Sequence, residues 1–207
     1  QVAVTAALSA GDFYCPVEIE LFMPKEWDKD PERREKAGIP WGKKQESKTV
    51  MGLRMIKKLY KKLSGDIECV VFDALYGINL DLLWQLKMKG IPFVGDVREN
   101  LSIYLSEPSW KIPAYSGQGR RFTKAHPDKE FIQVRKYLKK LKNKDFTLLT
   151  IRNGTKGILQ ARYHMRKVWL HHQPSKTFLA LHLLIRKDAD GNVKYSLGFF
   201  NENITVK

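Results

Sequence analysis

Ile67-Glu68-Cys69-Val70-Val71-Phe72-Asp73-Ala74-Leu75-Tyr76-Gly77 is the stretch on which the fold turns. A mostly apolar run closed by an acid and followed by a turn is the pattern of a strand buried on both faces. Asn79 then opens a helix through Lys89, with Leu80, Leu83, Trp84 and Leu86 at inward spacing and Gly90 as its stop. Ile91-Pro92-Phe93-Val94-Gly95-Asp96-Val97 reads as the next strand. Strand, helix and strand joined by short connections predict parallel pairing in an α/β layer.

Upstream, Val2 to Ser9 is a short apolar strand, and Gly11-Asp12 turns it into a second one. There Val17, Ile19, Leu21 and Met23 alternate with Glu18, Glu20 and Phe22, which predicts a half-exposed hairpin strand with carboxylates on one face. Residues 24–47 are charged and broken by Pro24, Pro31, Gly38, Pro40 and Gly42, so a long loop is expected, with one helical turn at Pro31–Lys36. From Lys48 to Ser64, Val50, Leu53, Ile56, Leu59, Tyr60 and Leu63 follow helical spacing, with lysines 57, 58, 61 and 62 opposite and Gly65 as the stop.

Past residue 104 the texture changes. Residues 105–128 read as a loop, and Glu130 to Leu141 as a basic helix with Phe131, Val134, Tyr137, Leu138 and Leu141 inward. Two hairpins follow: Phe146–Arg152 with Ile158–Leu170 around Asn153-Gly154-Thr155-Lys156-Gly157, then Thr177–Arg186 with Val193–Phe200 around Asp188-Ala189-Asp190-Gly191. Residues 1–104 are thus expected to form an α/β core, and residues 105–207 a basic, mainly antiparallel β module.

Composition narrows the function. The 207 residues are 43% apolar and 29% charged, enough for a packed core. The net charge of +15 is uneven: residues 1–103 carry 16 basic and 15 acidic side chains, residues 104–207 carry 21 and 7. An excess confined to one half points there for a polyanion, nucleic acid above all. No apolar run reaches the roughly 20 residues of a spanning helix. No basic region precedes the first apolar stretch, as a signal peptide would require. Cys15 and Cys69 are too few for a disulfide framework or a zinc site, so reduced thiols in a cytoplasmic-type compartment are expected.

Asp73 is the sharpest chemical feature. Ligands of open α/β sheets bind outside the carboxyl ends of the strands, where this acid sits. A carboxylate there suits Mg²⁺, and equally suits the N-cap of a following helix. Two-metal phosphoryl chemistry needs several converging acids. Asp96, ending the neighbouring strand, is the nearest candidate, and a complete small nuclease would need Asp73, Asp96 and Glu99 together.

Leu21-Phe22-Met23-Pro24-Lys25-Glu26-Trp27, Asp30-Pro31-Glu32-Arg33-Arg34-Glu35-Lys36-Ala37-Gly38-Ile39-Pro40 and Val70 to Gly77 together resemble bacterial insertion-sequence transposases of the DDE type. More narrowly, they resemble the subgroup whose ribonuclease-H-like core carries an inserted β-domain, and Ile151–Gly157 and Leu184–Asp188 are similar to that insertion. The resemblance implies an incomplete ribonuclease-H-like α/β core (1–104) joined to a basic β insertion (105–207). It also implies metal-dependent cleavage and joining of DNA, with Mg²⁺ or Mn²⁺ as cofactor and transposon ends and target DNA as partners. A homodimer in the synaptic complex and a cytoplasmic, nucleoid-associated location go with it.

Asp73 matches the second acid of the family's Asp-Asp-Glu triad, and so would be catalytic and a metal ligand. The first acid is expected on a strand before Gln1. The third is expected in a later Tyr-x-x-Arg-x-x-x-Glu helix. Tyr163 and Arg166 begin that pattern, but Leu170 stands in the Glu position. An internal piece of a catalytic domain, inactive alone, is the expectation.

The basic loop Gly117-Gln118-Gly119-Arg120-Arg121 with Lys124 has neither dinucleotide nor P-loop glycine spacing, but suits a phosphate backbone. Arg152, Lys156, Arg162, Arg166 and Lys167 punctuate the first hairpin and complete the expected nucleic-acid-binding set. Lys136, Lys139, Lys140, Lys142 and Lys144 crowd the segment before it. His171 and His172 read as a strand-end polar pair. Trp110, Tyr115 and Trp169 suit either stacking on bases or hairpin packing. The competing reading of the whole is a non-catalytic nucleic-acid-binding module.

Overall fold

A computed structural model describes residues 2–40, 42–63, 65–115, 117–154 and 157–200. The chain divides into two compact units, Gln1–Glu68 and Cys69–Lys207.

In the first unit, β1 (Ala3–Ala10) and β2 (Phe13–Leu21) form an antiparallel hairpin turned at Gly11, whose φ of 58° is the left-handed geometry glycine tolerates. The register slips between Ala6 and Ala7, opposite Pro16. The bulge leaves Val17 without a partner, next to Pro16, which has no amide to donate to the ladder. Two short helices, α1 (Lys25–Asp28) and α2 (Pro31–Lys36), follow, and Asp30 caps α2 by accepting the Arg33 amide at 3.0 Å. α3 (Lys48–Lys62) starts where the Ser47 hydroxyl accepts the Val50 amide.

The alternation in β2 is as expected, but its faces are reversed. Glu18 and Glu20 pair with Lys58 and Arg54 of α3, each at 2.7 Å, while Ile19 is 70% exposed. The lysine and arginine heads of the helix claim the carboxylates that the pattern assigns to solvent. In α3 the buried positions are Met51, Gly52, Leu53 and Met55, and Val50 is exposed.

The second unit is built on a six-stranded sheet. Its strands are β3 (Val70–Phe72), β4 (Phe93–Val97), β9 (Thr147–Gly154), β10 (Gly157–His172), β11 (Thr177–Asp188) and β12 (Val193–Phe199). Their order is β3-β4-β12-β11-β10-β9, with β3 and β4 parallel and every other pair antiparallel. Between β3 and β4 come α4 (Ala74–Gly77) and α5 (Leu80–Met88), the latter capped by Asn79 through the Leu82 amide at 2.9 Å.

Two minor ladders form, β5 (Ser102–Ile103) with β8 (Ile132–Gln133) and β6 (Trp110–Lys111) with β7 (His126–Pro127), the second of them within residues 105–128 expected as loop. The basic helix expected over 130–141 is reduced to α6 (Val134–Leu138), because Ile132 and Gln133 are used in β8. Both C-terminal hairpins form as expected.

Two further expectations change. β3 is an edge strand of this sheet and not buried on both faces: Val71 is 75% exposed. The sheet also crosses position 104, because β12 pairs with β4 from Tyr195 opposite Val97 to Phe199 opposite Phe93. Leu83, Leu86 and Phe93 from before that position share full burial with Leu183, Ile185 and Leu197 from after it. Burying each such side chain is worth about 2 kcal/mol.

Candidate active site and nucleic-acid interface

Asp73 stands where β3 ends, beside β4 in a parallel pair whose last matched residues are Phe72 and Gly95. Its exposed carboxylate accepts the Leu75 amide at 2.9 Å and so caps α4. The closeness of α4 to β4 is set by glycine. A Cβ on Gly77 would run into the Asp96 carbonyl, and one on Gly95 into the Phe72 ring. Tyr76, half covered and near Asp73, has its hydroxyl pKa pushed up, first by burial and then by the Asp73 charge.

Asp96 lies on β4 as expected, and its Oδ1 accepts the Ser196 hydroxyl of β12 at 2.7 Å. Glu99 faces elsewhere: its backbone carbonyl accepts the Arg135 amide at 2.9 Å, and its carboxylate lies 4.0 Å from the Arg135 guanidinium. Among the described residues no three His, Cys, Asp or Glu side chains converge to hold a metal ion. The trio Asp73, Asp96 and Glu99 is therefore not a complete nuclease site. One carboxylate with one oxygen already engaged does not by itself fit a two-metal centre.

The basic residues distribute over three places. Arg120, Arg121 and Lys124 are exposed on the loop between β6 and β7, and the Arg121 guanidinium lies 5.0 Å from the Tyr115 ring. Arg152 is exposed on β9 opposite Leu159. On β10, Arg162 and Arg166 share one face, and Lys167 projects from the other. Arg166 is also tied inward: its guanidinium donates to the Leu105 carbonyl and the Tyr137 hydroxyl, both at 3.4 Å. Lys156 lies outside the described residues.

The histidine pair is more structured than its sequence suggests. His172 is almost wholly buried and stacks on Trp84 with 5.2 Å between ring centroids. Its Nε2 meets Asp81 Oδ1 at 2.8 Å and its Nδ1 meets the Ser175 hydroxyl at 2.6 Å. The acid–imidazole–hydroxyl order resembles a nucleophile relay, but Ser175 also shares its hydroxyl with Thr177 at 2.6 Å. The network ties α5 to the β10–β11 turn. Asp81 in the first turn of a capped helix and a His beside Trp169 were the only sequence signals for it. His171 packs edge-on against Trp110 and beside Phe178, so Trp110 serves packing, with its indole N–H donating to the Lys176 carbonyl at 3.0 Å.

Neither Cys15 nor Cys69 is in a disulfide among the described residues. Among the described residues no helix is long and apolar enough to cross a membrane.

A family model described as DDE superfamily endonuclease matches residues 1–158. The search of curated proteins and the search of solved structures each find no match.

Proposed function

The chain belongs to the DDE superfamily of endonucleases, whose members act on DNA and typically use divalent metal ions; from that premise we propose that it is part of the catalytic domain of a transposase. The observation that carries this reading is the position of Asp73, at the carboxyl end of β3 in a parallel α/β pair, inside the family match. In the proposal the first unit and the β3–β4 pair belong to a ribonuclease-H-like core, and the β9–β12 strands to a basic inserted region. Asp73 supplies one carboxylate to a metal centre whose other ligands lie outside the described residues. The exposed cations Arg120, Arg121, Lys124, Arg152 and Arg162 support the DNA part of the reading, since backbone contacts need charge and reach more than fixed geometry.

A second reading treats the chain as a nucleic-acid-binding module without catalysis, and the bond from the Leu75 amide to Asp73 favours it. Protein expressed from the complete reading frame separates the two. The transposase reading expects nicking of duplex DNA that requires Mg²⁺ or Mn²⁺, whereas residues 1–207 alone leave it intact. Duplex binding by the complete protein with no metal-dependent nicking under any condition of salt or metal supports the binding module and sinks the transposase reading.

A further inference from the structure

Beyond Gly198 opposite His182, the last pair of β12 with β11, the β12 side of β11 has no strand partner among the described residues. Lys87 of α5 fills that gap: its Nζ donates to the Ala180 carbonyl at 2.7 Å and lies 5.7 Å from the Phe199 ring. His182, two residues along β11, stands directly opposite Lys167 on β10, so the two side chains share one face of the sheet. Lys167 is exposed, with its Nζ 5.6 Å from the Trp169 ring, and the His182 ring lies 5.9 Å from Phe200. Lys167 and His182 thus form a basic cross-strand pair on one face, and Lys87 of α5 reaches the edge of β11 two residues away, each of the three beside an aromatic ring. Among the described residues none of them pairs with a carboxylate.

The electrostatics agree with the geometry. Burial and then the charge of Lys167 pull the Lys87 pKa down. Burial, then Lys167, then Lys87 pull the His182 pKa down. Among the described residues no carboxylate pairs with these groups to offset the repulsion, so an oxyanion placed among the three is favoured.

We infer that Lys87, Lys167 and His182 form a binding site for a phosphate group, supplied in the working protein by the DNA backbone. Naming DNA as the source rests on the transposase reading; the phosphate chemistry does not. The site lies outside the loop cluster Arg120, Arg121 and Lys124. It adds Lys87 and His182, which neither motif nor charge run marks, to Lys167. Lys87 is held in place by its bond to Ala180, and so meets the ligand with less side-chain ordering still to lose than a free lysine.

The test is an NMR pH titration of the His182 imidazole in the 1–207 chain, its signal assigned by loss in His182→Gln. It is run alone, with a short duplex, and with inorganic pyrophosphate. An anion against the ring raises its midpoint, here by about one pH unit or more. In parallel, Lys167→Ala, an exposed change that leaves the fold intact, should lower duplex affinity about eightfold at 0.1 M salt and reduce the salt slope by about one.

A raised midpoint with duplex and the weakened Lys167→Ala variant support the site and its DNA ligand. A midpoint raised by pyrophosphate in a chain that binds no duplex supports the phosphate site and removes the DNA reading. Duplex binding that leaves both the His182 midpoint and the Lys167→Ala slope unchanged overturns the site and leaves the DNA reading standing. A midpoint that moves with neither ligand overturns the site as well.

Discussion

Gly77 and the carbonyl of Asp96 are in such close apposition that no side-chain carbon fits between them. That contact presses α4 onto β4 and fixes where Asp73, at the head of α4, stands relative to the strand carrying Asp96. Gly77→Ala should therefore cost about 2 kcal/mol or more, since backbone and not a flexible side chain must give way. Chemical denaturation reads it directly. A variant as stable as the parent would mean that α4 is free to ride away from the sheet.

His172 and Asp81 contribute unequally to their shared bond. Asp81 is 63% exposed, so Asp81→Asn should change stability by less than about 1 kcal/mol. His172→Ala removes a buried ring stacked on Trp84 and should cost about 3 kcal/mol. Equal losses in urea melts would show that the hydrogen bond, and not packing, holds α5 to the β10–β11 turn.

The Asp128 carboxylate sits under the Ser109 amide at 2.7 Å, with the Lys111 ammonium at 3.0 Å and the Ser109 hydroxyl at 2.9 Å. The amide first, then Lys111 and the hydroxyl, hold its pKa far below the ordinary carboxylate value of about 3.8. A depressed acid stabilises the fold above its unfolded value and loses that contribution as pH falls toward the folded one. The β6–β7 pairing should thus stay intact at neutral and mildly acidic pH and loosen only in strong acid. Amide exchange at Ser109 and Asp128 checks this, and loosening already at pH near 5 contradicts it.

Replacing Arg120, Arg121 and Lys124 together by Ala should flatten the slope of log affinity for duplex DNA against log salt by about one to three. Unrelated duplexes should weaken alike, because backbone contacts carry no direct sequence information. An unchanged slope would leave this loop a solvated surface and pass the role to Arg152 and Arg162.

Much of this molecule is legible in its sequence, for identifiable reasons. Asn79 caps α5 as its type predicts, and the structure shows Ser47 and Asp30 capping α3 and α2 in the same way. The β1–β2 and β11–β12 turns carry Gly11 and Gly191 at positive φ, whereas the β10–β11 turn places Lys176 there, at φ 54°. What the pattern misses is which face or edge a strand presents. Glu18 and Glu20 read as solvent-facing until Lys58 and Arg54 arrive from a helix some 34 to 40 residues away. Val71 reads as core because apolar content does not distinguish a central strand from an edge. β12 joins β4 across about a hundred residues, and no local signal marks such a pairing. The Asp73 site is readable as a position, but its engagement as a cap emerges only from the geometry of α4.

The central claim is that Asp73 serves chemistry and not only the start of α4, and Asp73→Asn isolates it. Asparagine keeps the side-chain oxygen that accepts the Leu75 amide and removes the charge a metal ion needs. In protein from the complete reading frame, metal-dependent strand cleavage should fall by about a hundredfold or more, the order of loss seen when one preorganised charge-stabilising group is removed. Duplex affinity and melting temperature should stay at the parent's values. Cleavage at the parent's rate in Asp73→Asn would contradict the account and leave Asp73 a helix cap.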